Sequence, residues 1–333
     1  MRLIVPMAGQ GKRMRPHTLT TPKPLIPVAG KPIVRHLVEY VARQVSEPIE
    51  HIAYVVGDFG KETEQELLRI ARGVGATASI HYQDQPLGTA HAILCASDHL
   101  YDRVLIAFAD TLFFADLTLP PQADGVIWVK QVENWQQFGV VKVNQEGLIQ
   151  EFVEKSPVYV SDLAIIGIYY FRDGVNLREE LQYLLDHDIK DKGEFQLTTA
   201  MEHMKNKGKK LYAGTVNQWL DCGNKDATVA TNRALLEQFR DQQLIDPSAA
   251  IEQAVVVPPC YIGAGVRIRH SVVGPYVSVG EKTTIENSVI TNSIIQSSVR
   301  IRERIISNSL LGNHVTLNGD PDDLSLGDYA VQR

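Results

Sequence analysis

The sequence is poor in cysteine and carries no excess of positive charge. Only three of its 333 residues are cysteines, and Cys95, Cys222 and Cys260 are far apart and lack the spacing of metal ligands. They suggest neither a disulfide framework nor a zinc site, and they favour a reducing compartment, the cytoplasm. The net charge of −6 argues against a nucleic-acid-binding protein, because contact with a phosphate backbone requires a basic domain or stripe.

Long hydrophobic runs are also missing. The apolar residues after Arg2 are interrupted by Pro6, so nothing at the N-terminus resembles a signal peptide, and no apolar stretch reaches membrane-spanning length. We therefore expect a soluble protein with no membrane partner. With 44% hydrophobic residues, a chain of this length can bury at least one full core, and domain-size statistics predict two domains.

Residues 1–240 alternate between short apolar runs and segments with helical periodicity. This order predicts an α/β domain with a doubly wound, mostly parallel sheet of the Rossmann type, whose ligands bind at the carboxyl ends of the strands. The predicted strands are 3–5, 52–56, 104–108, 126–129, 140–143 and 165–171, and the predicted helices are the segment with Ile33, Leu37, Val41 and Val45 at helical spacing, 62–71, 177–185, 196–204 and 227–239.

Residues 250–320 have a different pattern, in which an aliphatic residue recurs every five or six positions among Gly, Asn and Ser. This period is typical of hexapeptide repeats and predicts a left-handed β-helix of roughly four coils. An antiparallel sheet is the alternative, but it would not keep this spacing so often. The recurring residues are Ile262, Ile268, Val273, Val279, Ile285, Ile290, Ile295, Ile301, Ile306, Leu311 and Leu317.

A basic, proline-rich loop, MAGQGKRMRPHTLTTPKPLIPVAGKP at residues 7–32, follows the first predicted strand. It is neither a Walker A loop, because Arg13 follows Gly11-Lys12, nor a dinucleotide fingerprint, because Met14 replaces the third glycine. Its glycines allow backbone amides to approach a phosphate chain, Arg13 adds a guanidinium, and flanking prolines restrict the backbone around Lys23. The loop is predicted to bind a polyphosphate.

The same loop resembles a known family. GxGxRxRP at residues 9–16 and PKPLxPVxGKP at residues 22–32 are similar to the signature of the sugar-phosphate nucleotidyltransferases, which include glucose-1-phosphate thymidylyltransferases and uridylyltransferases. The resemblance covers residues 1–240, and a hexapeptide-repeat tail is a frequent companion in that family. Ala8 and Lys12 depart from the usual Gly and Thr or Ser.

The resemblance implies transfer of a nucleotidyl group from a nucleoside triphosphate to a sugar 1-phosphate, with release of pyrophosphate. Both substrates are anions, so catalysis depends on positioning and electrostatic stabilisation, and no general base is required. Gly9, Gly11 and Arg13 are implied to bind the nucleotide. Arg13 and Lys23 are implied to neutralise its phosphates, with Lys23 nearest the α-phosphate.

Two aspartates are implied to bind Mg²⁺, for which carboxylates are suitable hard ligands. Asp110 ends the apolar run RVLIAFAD, and Asp221 in QWLDCGN matches the Trp-x-Asp-x-Gly motif of the family. Taken alone, Asp110 is also compatible with a helix cap or a turn residue after a strand.

Base recognition is implied for Gln83 and Gly88, which lie in the family-like segment HYQDQPLGTAHAI. A glutamine amide donates and accepts hydrogen bonds at once, which suits the edge of uracil or thymine. The expected nucleotide is therefore UTP or dTTP.

The sugar 1-phosphate, such as glucose 1-phosphate, is implied to contact Gly139, Glu154, Lys155 and Gly167. Glu154 would accept hydrogen bonds from sugar hydroxyls, and Lys155 would pair with the phosphate. A Glu-Lys dipeptide is otherwise most often a solvated pair, and a glycine within a strand often marks a bulge.

The tail leaves several functions open. Its coils are expected to support a homo-oligomer, whereas some fused relatives acetylate an amino sugar, as in bifunctional N-acetylglucosamine-1-phosphate uridylyltransferase/acetyltransferases. Neither His270 nor His314 lies in a recognisable acetyltransferase motif. A third alternative is a non-catalytic regulatory or scaffold subunit, but such a chain need not keep Arg13, Lys23 and both aspartates together.

Overall fold

A computed structural model describes residues 1–320 of the chain. The helices are α1 (Ile33–Gln44), α2 (Lys61–Gly73), α3 (Thr89–Leu94), α4 (Gly174–Asp186), α5 (Leu197–Asn206) and α6 (Lys225–Gln238). The strands up to residue 223 are β1 (Arg2–Pro6), β2 (Pro27–Val28), β3 (Lys31–Pro32), β4 (His51–Val56), β5 (Thr77–Tyr82), β6 (Val104–Ala107), β7 (Thr111–Phe114), β8 (Gly125–Gln131), β9 (Gly139–Val143), β10 (Ile149–Glu154), β11 (Leu163–Phe171), β12 (Leu211–Thr215) and β13 (Gln218–Asp221). Within residues 1–320, no helix is long and apolar enough to cross a membrane.

The central sheet has the strand order β10-β9-β11-β6-β1-β4-β5, and β8 pairs with both β11 and β12. The segment β6-β1-β4-β5 is parallel, and the pairs that β11 makes with β6, β8 and β9 are antiparallel. Strands β1, β4 and β6 are buried almost throughout because helices cover such a sheet, which explains their continuous apolar sequences. The sheet is mixed, and the Rossmann-like α/β class is confirmed.

The parallel strands place their carboxyl ends at one edge of the sheet. The glycine-rich loop leaves β1 at this edge, Gln83 follows β5, and Asp110 follows β6. A two-stranded antiparallel sheet of β7 and β13 then pairs Asp221 with Thr111, next to Asp110 in the sequence. The topology therefore collects at one edge residues that are more than two hundred positions apart in the sequence.

The strands after residue 249 stack in three parallel sheets. They are β14 (Ala250–Glu252), β15 (Val255–Val256), β16 (Cys260–Ile262), β17 (Arg267–Arg269), β18 (Val272–Val273), β19 (Val277–Val279), β20 (Thr284–Glu286), β21 (Val289–Thr291), β22 (Ile294–Ile295), β23 (Arg300–Arg302), β24 (Ile305–Ser307), β25 (Leu310–Leu311) and β26 (Thr316–Asn318). The sheet orders are β14-β17-β20-β23-β26, β15-β18-β21-β24 and β16-β19-β22-β25. This stack agrees with the predicted left-handed β-helix.

Each coil of the stack contains 16 or 17 residues. Ala250 pairs with Arg267, Arg267 with Thr284, Thr284 with Arg300 and Arg300 with Thr316, which gives offsets of 17, 17, 16 and 16. The recurring aliphatic residues other than Leu317 form a continuous core along the axis, in which Ile306 and Leu311 are partly buried. One corner holds a left-handed residue in every coil, and these residues are Gln253, His270, Asn287 and Glu303.

The described chain divides into two compact units. One consists of Met1–Ile26 and Lys31–Gly223, and the other of Pro27–Gly30 and the residues from Asn224 onward. Helix α6 belongs to the second unit, where the Asn224 side chain caps it by accepting a hydrogen bond from the amide of Ala227 at 2.9 Å. Each unit has its own hydrophobic cluster, one around the central sheet and one inside the coils.

Candidate active site

The glycine-rich loop turns sharply after β1. Gly11 has a φ of 58°, and a Cβ there would lie 3.0 Å from side-chain atoms of both Lys23 and Thr18. The Thr18 hydroxyl and the amide of Met14 both donate to the Gly11 carbonyl, at 2.9 Å each. Gly9 lies in open space, so no close contact in this structure requires a glycine there. Gly11 is the residue that lets the loop pack against Lys23.

Lys23 is buried, and its ammonium is paired with Asp110. Its Nζ donates to Asp110 Oδ2 at 2.9 Å, and the Asp110 side chain is about half exposed. A short turn, Lys23–Leu25, contains the lysine, with Pro22 before it and Pro24 within it. The basic loop and the end of β6 therefore meet in one ion pair, although these residues are 87 positions apart.

Asp221 lies at the end of β13 beside this pair. The pKa of the Asp221 carboxyl is raised, and burial is the largest cause. The negative charge of Asp110 also raises this pKa, whereas the positive charges of Lys23 and Arg13 lower it. The amide of Cys222 donates to the Asp110 carbonyl at 3.2 Å, which fixes the two acidic residues side by side. A cation between the two carboxylates would offset their repulsion, so the donor set suits a divalent metal.

A cavity of about 550 Å³ opens at this edge of the sheet. Seven of the residues predicted from the sequence line it: Gly9, Gly11, Arg13, Lys23, Gln83, Gly88 and Asp110. Its size is in the range of small-molecule sites. The predicted nucleotide-binding residues are thus brought together around one space.

Gln83 and Gly88 form a small network at the rim of the cavity. The Gln83 amide nitrogen lies 3.2 Å from the Gly88 carbonyl oxygen and 3.1 Å from His91 Nδ1. Gly88 has a φ of 120°, and a Cβ there would come within 2.4 Å of the Phe195 carbonyl oxygen. Gly88 is therefore required for the close approach of two backbone segments.

Gly139, Glu154 and Lys155 lie together where β9 pairs with β10. Gly139 is opposite Glu154 in the ladder, and a Cβ on the glycine would lie 2.8 Å from Glu154 Oε2. The carboxylate accepts a hydrogen bond from the Thr198 hydroxyl at 3.4 Å and is paired with Lys155 Nζ at 3.6 Å. Lys192 Nζ donates to the carbonyls of Glu154 and Lys155, at 2.7 Å each.

Gly167 interrupts β11, where the ladder with β8 shifts register between Ile165 and Tyr169. It has a φ of 89°, and the amide of Phe108 donates to its carbonyl at 3.0 Å. Burial, then the charges of Glu154 and Asp110, raise the pKa of Tyr169. Tyr169 therefore lies within electrostatic range of both Glu154 and Asp110.

Five of the predicted residues are not among those that line the cavity itself: Gly139, Glu154, Lys155, Gly167 and Asp221. Sequence reasoning missed Phe108, Glu194 and Gly223, which do line it. A Cβ on Gly223 would lie 2.7 Å from Asp221 Oδ2 and 3.0 Å from Arg13 Nη2. The motif around Asp221 includes this glycine and could have revealed it, whereas no sequence signal marks Glu194.

The fold and this site define a nucleotide-handling α/β enzyme, with a glycine turn, cations and carboxylates at the carboxyl edge of a Rossmann-like sheet. Comparison with known proteins identifies the family. Residues 3–238 match the family model described as Nucleotidyl transferase, and the chain belongs to this family.

Curated relatives match nearly the full length of the chain. A glucose-1-phosphate thymidylyltransferase of Streptomyces griseus is 28% identical over 99% of this chain and 98% of its own. The low-salt glycan biosynthesis nucleotidyltransferase Agl11 of Haloferax volcanii is 31% identical over 98% and 96%. A crystal structure described as a Bacillus anthracis glucose-1-phosphate thymidylyltransferase has a TM-score of 0.59 and 25% identity, covering 71% of this chain and 94% of that one.

Proposed function

We propose that this nucleotidyltransferase transfers a nucleotidyl group from a nucleoside triphosphate to a sugar 1-phosphate and releases pyrophosphate. The observation that carries the proposal is the buried Lys23 ammonium, paired with Asp110 at 2.9 Å beside Asp221. A phosphate oxygen of the sugar forms a bond to the α-phosphorus, and the bond from that phosphorus to the leaving pyrophosphate breaks. Both substrates are anionic, so the site must offset their repulsion.

Two cations of this chain act on the nucleotide phosphates. Arg13 lies on the turn after Gly11 and lines the cavity with Lys23, and its guanidinium suits bidentate contact with phosphate oxygens. Lys23 has less freedom, because it is buried and held between prolines. We assign Lys23 to the α-phosphate, where charge develops, and Gly9 and Gly11 to backbone contacts with the phosphate chain.

Asp110 and Asp221 would hold Mg²⁺. Two adjacent carboxylates leave most of the octahedral shell of this ion to substrate phosphates and water, which is its usual mode of binding. The ion would supply positive charge near the transferred phosphate. Within residues 1–320 no group of three or more His, Cys, Asp or Glu side chains forms a metal site, so the proposed ion depends on its substrates for ligands.

The proposed substrates are UTP or dTTP and a hexose 1-phosphate such as glucose 1-phosphate. Gln83 lines the cavity, and its side-chain amide lies near Gly88 and His91. This amide can present both a hydrogen-bond donor and an acceptor to a pyrimidine base. Glu154, beside Gly139 and Lys155, would accept hydrogen bonds from sugar hydroxyls, and Gly167 would let the backbone approach the sugar. Thymidylyltransferases of glucose 1-phosphate among the relatives support this choice.

A bifunctional enzyme is the second candidate. A Bifunctional protein GlmU of Methanocaldococcus jannaschii is 31% identical over 77% of this chain, but the match covers only 59% of that protein. His270 and His314, which would be the histidines available for acetyl transfer, are exposed corner residues of the coils. The full-length thymidylyltransferase relatives favour the single activity.

We assign catalysis to residues 1–240 and the β-helix to residues 250–320, and we place the enzyme in the cytoplasm. The scarcity of cysteines and their wide spacing favour a reducing compartment. The assignment of catalysis to the first unit is supported by its charged groups. Asp221 lies within electrostatic range of Lys23, Asp110 and Arg13, which are the cations and the second carboxylate that the proposed reaction needs.

The test is pyrophosphate release with Mg²⁺, for each of five nucleoside triphosphates against the 1-phosphates of glucose, galactose, mannose and N-acetylglucosamine. We expect release with UTP or dTTP and one preferred sugar. Chelation of the metal should abolish it. Asp110→Asn should lower kcat/KM by at least about a hundredfold, because it removes a metal ligand and the partner of Lys23.

Asp116→Asn is the matched control, because Asp116 is an exposed aspartate that accepts a hydrogen bond from Thr118 and does not line the cavity. Its kcat/KM should stay near that of the wild type. Folded wild-type protein that releases no pyrophosphate with any pair, or an Asp110→Asn variant with full activity, would contradict the proposal. Acetyl transfer from acetyl-CoA to an amino sugar 1-phosphate would establish the second candidate instead.

A further inference from the structure

The short hairpin that follows the basic loop leaves the first compact unit and returns to it. Its strands β2 and β3 pair with each other, and the amide of Ile33 donates to the Ile26 carbonyl at 3.2 Å where the hairpin closes. Ile26 and Ile33 belong to the first unit, whereas Pro27–Gly30, which we name the strap, belongs to the second. The strap is therefore a part of residues 1–240 that packs with the residues after 223.

The turn at the tip of the strap has a backbone conformation that a side chain disfavours. Ala29 and Gly30 have φ values of 44° and 84°. A two-residue hairpin turn with positive φ at both positions suits glycine or asparagine, and an alanine is strained there. Ala29 is also buried, so its amide needs a hydrogen-bond acceptor other than water. The turn therefore depends on support from outside the hairpin.

Asn232 on α6 supplies this acceptor. Its Oδ1 accepts hydrogen bonds from the Ala29 amide at 2.8 Å and from the Ser278 hydroxyl at 2.6 Å, and its Nδ2 donates to the Tyr276 carbonyl at 3.3 Å. The side chain is fully buried, where an amide is costly unless its polar atoms are paired. One asparagine thus ties the strap to the helix and to the coils of the second unit.

Tyr261 on β16 packs against the second residue of the turn. A Cβ on Gly30 would lie 2.2 Å from a carbon of the Tyr261 ring, which is too close for any side chain to fit without displacing the ring. Gly30 is therefore required both by its φ and by the ring beside it. The strap is held by two side chains, one from the helix and one from the coils, that lie far from it in the sequence.

Only three residues separate Lys23 from the first residue of the strap. The amide of Ile26 donates to the Lys23 carbonyl at 3.1 Å, and the Ile26 side chain is fully buried. Pro24 and Pro27 have fixed φ angles, which leaves few free dihedrals in this stretch. A displacement of the strap therefore moves the backbone of Lys23.

We propose that Asn232 and Tyr261 are positioning residues for Lys23, on which they act through the strap. They hold the turn of the strap, the strap fixes the backbone of Lys23, and the Lys23 ammonium is thereby kept beside Asp110. The inference rests on the proposed function, in which Lys23 offsets charge that develops at the α-phosphate. Such an interaction is strongest in the transition state, so loss of the strap contacts should lower kcat more than it raises KM.

The first test measures pyrophosphate release by the full chain, with the substrate pair that the wild type prefers. Asn232→Ala removes the acceptor of the Ala29 amide and should lower kcat at least about tenfold, with the KM for the nucleotide changed by less than about twofold. Ser278→Ala is the matched control, because it removes the other hydrogen bond to Asn232 Oδ1 and leaves the strap contact in place. Its kcat should stay near the wild-type value.

The second test separates the ring of Tyr261 from its hydroxyl group. Tyr261→Phe keeps the ring against Gly30 and should retain the wild-type kcat, whereas Tyr261→Ala removes the ring and should lower kcat at least about threefold. Equal losses of kcat in the two variants, or changes in KM alone, would contradict a positioning role through the strap.

A third test is independent of activity. Lys23 is 8% exposed in the folded chain, so an amine reagent should modify it slowly. Brief treatment with acetic anhydride, followed by peptide mass spectrometry, should show Lys23 modified at least about threefold faster in Asn232→Ala and in Tyr261→Ala than in the wild type. Exposed Lys61 is the internal reference, and Ser278→Ala should give the wild-type rate.

Thermal melting establishes that each variant is folded at the temperature of these measurements. Folded Asn232→Ala and Tyr261→Ala chains that keep the wild-type rate of Lys23 modification would overturn the proposal, whatever their activity. If the wild type releases no pyrophosphate but Lys23 is modified faster in both variants, the proposed function fails and the positioning role stands. If Asn232→Ala does not fold, the comparison of Tyr261→Ala with Tyr261→Phe decides, with the same expected results.

Discussion

At the scale of single residues, Gly88 combines two constraints that a side chain cannot meet. Its φ of 120° strains any residue with a Cβ, and that Cβ would also collide with the Phe195 carbonyl oxygen at 2.4 Å. We predict that Gly88→Ala lowers the melting temperature and lowers kcat/KM, because the cavity wall must shift. The measurements are thermal unfolding and pyrophosphate release.

Gly75→Ala separates these two causes. Gly75 also has a positive φ, 79°, but a Cβ there would meet nothing within 4 Å. It should therefore show only the cost of backbone strain, on the order of 1–2 kcal/mol. Equal losses of stability in the two variants would refute the role of the Phe195 contact.

Residues with recognisable chemistry in a motif could be predicted from the sequence, whereas their partners could not. The local sequence predicts Lys23 and Asp110 individually as site residues, but their 2.9 Å ion pair depends on the return of the chain after 87 residues. Glu194 lines the cavity because the loop after α4 comes back to Gly88. The residues next to Glu194 in the sequence contain no motif that predicts this contact. The assigned roles stay predictions until they are tested.

At the scale of elements, a histidine cluster joins the edge of the sheet to a following turn. His51, His81 and His99 each place Nε2 within 3.1 Å of the Ser79 hydroxyl oxygen. Burial, followed by the charges of His99, His81 and Arg2, lowers the pKa of His51 from 6.5 to about 4. The folded cluster therefore favours neutral histidines.

This cluster makes stability depend on pH with a definite sign. Between pH 6.5 and about 4 the unfolded chain binds a proton at His51 that the folded chain does not, so the free energy of unfolding should fall on acidification in this window. We predict that His51→Gln reduces this slope, measured by urea unfolding at several pH values. His314→Gln, at an exposed corner of the coils, should retain the wild-type slope. An unchanged slope in His51→Gln would contradict the assignment.

Most strands with continuous apolar sequences were predictable, although the short β7 was not, and polar strands were not predictable. The runs at 52–56 and 104–108 correspond to β4 and β6, but β5, TASIHY, was missed because its residues are partly exposed and it lies at the sheet edge. The direction of β11 was also beyond the sequence, because an apolar run is compatible with either pairing. For the same reason the sequence predicts a mostly parallel sheet, whereas the sheet in the structure is mixed.

At the scale of the whole molecule, the two separate hydrophobic clusters predict two unfolding transitions. Ile106 lies in the cluster of the central sheet, and Ile290 lies inside the coils. Each Ile→Ala change should cost about 2–5 kcal/mol by leaving a cavity. We expect calorimetry to show that Ile106→Ala lowers one transition and Ile290→Ala lowers the other. A single transition that both variants lower equally would contradict this prediction.

The coil length of 16 or 17 residues also limits how this chain can tolerate insertions and deletions. Duplicating one whole coil would keep each inward aliphatic residue above its neighbour and each left-handed corner in line, so the stack would only become taller. Inserting half a coil would instead move the inward residues of the following strands to the wrong side, and every level beyond the insertion would lose its core. The β-helix can therefore change in length only in whole steps, each about 4.8 Å high.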